Sequence, residues 1–141
     1  MGMEKVFEAI RRKVAQEPFA LKLGLELVKI EPGYSLVKMT FTADIANIFG
    51  MAHGGAIYSL IDEAFETASN SHGTMAVALG VNVQYIAAAS PGDVLFAEAR
   101  EASRSARISH YDIEVRNGSG DLIATCKAMA YRKKERLPFL E

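Results

Sequence analysis

Apolar residues recur at helical spacing near the start of the chain. Val6, Ile10 and Val14 repeat every fourth position, with charged residues between them, which predicts an amphipathic helix over residues 3 to 16. Pro18 is read as its end. Leu23 to Ile30 and Tyr34 to Thr42 read as two strands, turned at Pro32-Gly33 into a hairpin. Residues 43 to 52 read as a loop holding Asn47 and Gly50. From Gly54 to about Ser71 the pattern is helical again. Ile57, Leu60, Ile61, Ala64, Phe65 and Ala68 fall in one arc at about 100° per residue. Ser59, Glu63 and Glu66 lie roughly opposite, and Asn70-Ser71-His72-Gly73 supplies the stop. Met75, Val77, Leu79, Val81, Val83 and Tyr85 then alternate with small or polar residues as a long strand. Ser90-Pro91-Gly92-Asp93 turns the chain. Val94 to Ala102 and Ile108 to Arg116 read as further strands. Asn117-Gly118-Ser119-Gly120 is a hairpin turn, and Leu122 to Arg132 closes the set. Lys133 to Glu141 reads as a charged tail. The order predicts an α+β domain with an antiparallel sheet and one long central helix.

Composition narrows the class. A chain of 141 residues, half of them hydrophobic, has material for one domain with a real core. A net charge of -1 gives no general pull toward nucleic acid. Cys126 is the only cysteine, so no internal disulfide can form, which suits a reducing cytoplasm. The N-terminus has no apolar signal core, and no apolar run is long enough to span a membrane. Val6 stands where a myristoylation motif after Gly2 would want Ser or Thr.

Candidate chemistry gathers at His53-Gly54-Gly55 and Asp62. If the long helix begins at Gly54, the two glycines expose backbone N–H groups at its positive end, where an oxyanion is stabilised. Asp62 is then a candidate base or nucleophile, or equally an ordinary solvated acid on the flank of the apolar arc. The glycines have a bland reading too, as a site of close packing. The two groups stand eight residues apart, roughly 12 Å along one helix. One carbonyl cannot touch both in the same chain. Two antiparallel helices across a two-fold axis would bring the tip of one near the middle of the other. His53, His72 and His110 lack metal-ligand spacing, so no metal site is expected. Serine-hydrolase, dinucleotide and Walker motifs are absent.

Asn47-x-x-Gly50-x-x-His53-Gly54-Gly55, followed by Asp62, resembles the hotdog-fold thioesterases. Within them it is most similar to the phenylacetyl-CoA thioesterase branch and related small acyl-CoA thioesterases. The similarity runs from about Phe19 to Tyr131, so the core is expected over about 19–132 within a single domain of 1–141. The resemblance implies a curved antiparallel sheet wrapped around the helix from Gly54, assembled as a dimer and often a tetramer, with sites at the dimer interface. It implies an acyl-CoA substrate and no organic cofactor.

The implied roles follow position by position. The Gly54 N–H would polarise the thioester carbonyl, and Asp62 of the other subunit would attack it or activate water. Asn47 would orient that water or the acyl group. His53 would support the loop and the thioester end, and Gly55 would allow close approach. Phe49, Tyr58, Ile61 and Phe65 are candidates to line the acyl pocket, or plain core. Arg104 and Arg107 are candidates for the coenzyme A phosphates, while Lys133-Lys134 reads as solvated charge. The sequence departs from its relatives where some carry Ser or Thr on the strand after the helix (Ala78 here). It departs again where others carry Thr one turn past the acid (Glu66 here), and where Pro often follows the strand aromatic (Tyr85-Ile86-Ala87-Ala88-Ala89 here). A non-catalytic acyl-CoA-binding module on the same fold is the rival reading. A hotdog hydratase would want a His and Asp pair on a different motif.

Overall fold

The computed structural model describes residues 2–140. Helix α1 spans Met3–Gln16 and α2 spans Pro18–Leu23. Strands β1 (Glu26–Glu31) and β2 (Tyr34–Thr40) precede the long helix α3 (Gly54–Asn70). Strands β3 (Thr74–Tyr85), β4 (Val94–Arg104), β5 (Ile108–Asn117) and β6 (Leu122–Arg136) follow. Among the described residues the strands form one six-stranded sheet in the order β1-β2-β4-β5-β6-β3. Every neighbouring pair is antiparallel. This is the α+β hotdog architecture, a curved sheet around one long helix.

The alternation read from the sequence is what buries the sheet's inner face. Val37 and Met39 of β2, Leu95, Ala97 and Ala99 of β4, and Ile113 and Val115 of β5 are all buried. They meet Leu60, Ile61, Ala64 and Ala68 of α3 in one cluster. Alanines at 97, 99, 128 and 130 present little bulk on the buried face, which suits close helix-on-sheet packing. Ser35 of β2 reaches across and donates to Ala64 O at 2.6 Å, which satisfies its buried hydroxyl.

Three expectations need correction. Pro18 ends α1 but also opens α2 as its first residue, a position where its missing N–H costs nothing. Gly24 closes α2 at φ 67, and the strand starts at Glu26 rather than Leu23. The residues from Lys133 are not a free tail, although Lys133 and Lys134 are exposed as expected. β6 runs to Arg136, and Leu137 is buried with Val6, Phe7, Ile10 and Val14 of α1 and Ile30 of β1, with Phe139 and Leu140 packed alongside. Glu141 lies outside the described residues. Finally, Glu63 does not face solvent but is buried, because the α1–α2 corner places Glu17 against it.

The outer edge of β3 has no strand partner among the described residues. Its apolar side chains are also uncovered: Val77, Leu79 and Tyr85 are each 40–53% exposed, and Ile86 follows at 56%. An edge of this kind is a pairing template for another chain. No helix among the described residues is long and apolar enough to cross a membrane.

Candidate active site

The loop before α3 is folded back on itself. Ala46 and Ala52 form an antiparallel bridge. Asn47 N–H donates to Met51 O at 2.8 Å, and Gly50 N–H donates to Asn47 O at 3.0 Å. Asn47 Oδ1 accepts from Phe49 N–H at 2.8 Å and from Met51 N–H at 3.1 Å. This is the turn-making habit of Asn. The side-chain oxygen is therefore occupied by the loop, and Nδ2 is the atom left to face a ligand. Ile48 and Phe49 project from the tip, 92% and 79% exposed.

His53 is the N-cap of α3. Its Nδ1 accepts from Gly55 N–H at 2.9 Å, so in this arrangement the ring is neutral with its proton on Nε2. Its carbonyl accepts from Ala56 N–H at 2.9 Å and Ile57 N–H at 3.2 Å. The sequence suggested free amides at both glycines, but the Gly55 amide is taken. Gly54 N–H alone in this first turn has no partner among the described residues.

Tyr85, at the end of β3, stands at the candidate site although the motif did not reveal it. Its hydroxyl donates to Gly54 O at 3.0 Å. With Asn47, Gly54, Ile57 and Ala87 it lines a cavity of about 390 Å³. A second recess of about 300 Å³ meets the same helix tip through His53, Gly55 and Ser59, with Phe19 and Asp44 across it.

Asp62 lies mid-helix and is exposed. Partial burial, with the Glu17 charge adding to it, holds its carboxyl above the usual 3.8. Asp62 in turn helps raise the Tyr58 hydroxyl, after burial. Burial also pushes the Cys126 thiol up to about 11, opposed by the Asn82 backbone N–H and aided by Asp62. Tyr58 is 39% exposed beside Asp62, whereas Ile61 and Phe65 are fully packed in the core, Phe65 edge-on to Tyr111 at 5.5 Å.

The candidate phosphate contacts stand apart from the helix tip. Arg104 Nε is 3.7 Å from Glu101 Oε1, and Arg107 Nη1 donates to Arg132 O at 3.2 Å. Ile108 pairs with Tyr131 and Tyr131 with Val77, so this turn sits near the start of β3. Gly54 contacts Tyr85 at its far end, about 26 Å along the strand from Val77 at ~3.3 Å per residue. One chain does not bring Arg104 or Arg107 to Gly54.

Glu17, Glu63 and Glu66 have carboxylate oxygens within 4.8 Å of one another. Glu63 is 4% exposed, and its Oε2 meets no hydrogen-bond donor. Burial first, then hydrogen bonding to the other two acids, pushes Glu63 up to about 10. Burial also raises Glu66, to about 7. Three carboxylates this close repel one another, which favours a protonated carboxyl among them.

The family model of the thioesterase superfamily matches residues 49–124 of this chain, a span that contains the helix tip and Asp62. A protein of Archaeoglobus fulgidus is 39% identical over 116 residues, 82% of this chain and 75% of its own. The acyl-coenzyme A thioesterase PaaI of Escherichia coli is 33% identical over 113 residues, 80% of this chain and 81% of its own. The solved structure of E. coli PaaI superposes with a TM-score of 0.91 at 28% identity, covering 95% of this chain and 97% of that one. The smu.793 protein of Streptococcus mutans, solved bound to acetyl CoA, superposes with a TM-score of 0.76 at 26% identity, covering 80% and 91%. The family match, the antiparallel sheet around α3 and the PaaI likeness agree that this chain belongs to the thioesterase superfamily, as a PaaI-like thioester hydrolase of the hotdog fold.

Proposed function

We propose that this protein hydrolyses acyl-CoA thioesters at sites shared between two copies of the chain. In each site the Gly54 N–H of one subunit binds the thioester oxygen, and Asp62 of the partner subunit supplies the carboxylate. One observation carries the reading: the only unpartnered amide of the first turn of α3, among the described residues, stands at Gly54, eight residues from the exposed Asp62 on the same helix. A straight helix holds them roughly 12 Å apart, beyond the reach of one carbonyl. The unpaired, apolar edge of β3 supports a second copy there. Pairing β3 with β3 antiparallel would set the Val77 end of one strand beside the Tyr85 end of the other. That arrangement would carry Arg104 and Arg107 of one subunit toward the helix tip of its neighbour.

The chemistry needs few parts. A developing oxyanion would meet a fixed N–H and the positive end of α3, in place of water that would have to reorganise. Asp62, its carboxyl raised above the usual range by burial and by the Glu17 charge, would as carboxylate add to the carbonyl or take a proton from water. Thiolate is a good enough leaving group to depart without a dedicated acid. Asn47 Nδ2, Gly55 and the exposed Phe49 and Tyr58 are the remaining groups placed to meet substrate. CoA esters of aromatic, short, medium and long acids, followed by thiol release, test the activity. Turnover that falls at least a hundredfold in Asp62→Asn supports the reading. Tight binding of CoA esters without turnover would select a binding module instead.

A further inference from the structure

We propose that Tyr85 is a positioning residue that, together with His53, clamps the Gly54–Gly55 peptide and so, by restraining the φ and ψ of Gly54, limits the directions open to the adjoining His53–Gly54 peptide that carries the Gly54 N–H. The inference rests on the proposed role of that N–H. A Gly-Gly pair at a helix start is the least restrained backbone available, free to sample conformations closed to other residues. A donor there is useful only if it points one way before substrate arrives. The structure holds the peptide between the two glycines at both ends. Its N–H, on Gly55, donates to His53 Nδ1 at 2.9 Å. Its C=O, on Gly54, accepts from Tyr85 Oη at 3.0 Å.

The Tyr85 ring also closes the space beside Gly54. A Cβ built on Gly54 would lie 3.4 Å from Tyr85 Cζ and 3.6 Å from Cε1, ordinary contact distances. The ring therefore lies against the glycine without crowding it. Tyr85 lines the same cavity as Gly54 and Asn47, so the clamp stands beside the path to the free amide. The geometry explains why a tyrosine serves here and a phenylalanine would serve less well. The ring alone fills the space, but only the hydroxyl reaches the carbonyl.

Kinetics of Tyr85→Phe, measured beside Asp62→Asn, test the inference. A clamp predicts that Tyr85→Phe lowers kcat about three- to tenfold, the range of one lost hydrogen bond, with KM within twofold. Glycine-labelled protein should show faster amide exchange at Gly55, the hydrogen-bonded amide of the clamped peptide, in the same variant. Unchanged kcat and unchanged exchange in Tyr85→Phe, with Asp62→Asn inactive, would overturn the clamp and leave the proposed function standing. Full activity in Asp62→Asn would overturn the proposed function, and amide exchange would then judge the clamp by itself.

Discussion

Replacing Gly54 by proline removes the proposed oxyanion donor and sets the ring Cδ in its place, with the rest of the helix start kept. Gly54 is the first residue of α3, where proline is well tolerated. His53 before it has φ -65 and ψ 135, the extended conformation that a residue preceding proline must adopt. Gly54 N–H makes no hydrogen bond to any described residue, so none is lost on folding. The new Cβ would meet the Tyr85 ring at 3.4 Å, a normal contact. Loss of one preorganised donor to an oxyanion costs roughly 100- to 1,000-fold in kcat, about 3–4 kcal/mol of transition-state stabilisation. Gly54→Ala adds the same Cβ but keeps the N–H, and so measures the cost of the Cβ. Both variants should keep the wild-type oligomer by sedimentation and the wild-type helix content by circular dichroism. Thiol-release kinetics should then separate them by at least about a hundredfold in kcat. If Gly54→Pro runs within a few-fold of Gly54→Ala, the amide does not bind the oxyanion.

Two further outcomes follow from burial. Glu63 binds a proton in the folded chain that the unfolded chain releases above the ordinary 4.5. Its contribution is fully present below pH 4.5 and is lost as pH rises toward its raised folded value, by at most about 1.4 kcal/mol per pH unit. Glu63→Gln removes that slope, so urea titrations from pH 5.5 to 7.5 should show the variant gaining on the wild type by up to ~3 kcal/mol. Parallel pH profiles for the two would refute a protonated Glu63. Leu137→Ala should cost about 2–5 kcal/mol in the same assay, because Leu137 is buried against α1. A cost below ~0.5 kcal/mol, the range of surface changes, would mean the C-terminal segment does not pack there.

Much of this fold could be read from residue periodicity. β2, β4 and β5 alternate cleanly because one face of each lies on the core, and burial follows the same beat. α3 is long enough for its apolar arc to be unambiguous. The misreadings have local causes. α2 is six residues long, too short to show a period, and begins with the residue that reads as a stop. Leu137, Phe139 and Leu140 sit beyond a charged run without regular spacing, and only α1 and β1 give them partners. A helical arc assigns the acid at Glu63 to solvent, whereas the α1–α2 corner brings Glu17 over it. The site divides in the same way. His53, Gly54 and Gly55 are adjacent, so the motif placed them at the helix start, though not the capture of the Gly55 amide by the His53 ring. Tyr85 is 31 residues from Gly54, and only the return of β3 alongside α3 brings its hydroxyl to that carbonyl.

Shared sites are tested most directly by mixing two inactive variants. Asp62→Asn and Gly54→Pro chains, unfolded together and refolded at equal amounts, would form mixed dimers in half of all pairings. Each mixed dimer would hold one site with both defects and one site with neither. Activity should return to about a quarter of the wild-type value per chain, while each variant refolded alone stays inactive. No recovery, with mixed dimers demonstrated by mass spectrometry, would place both groups of each site in a single chain and contradict the shared site.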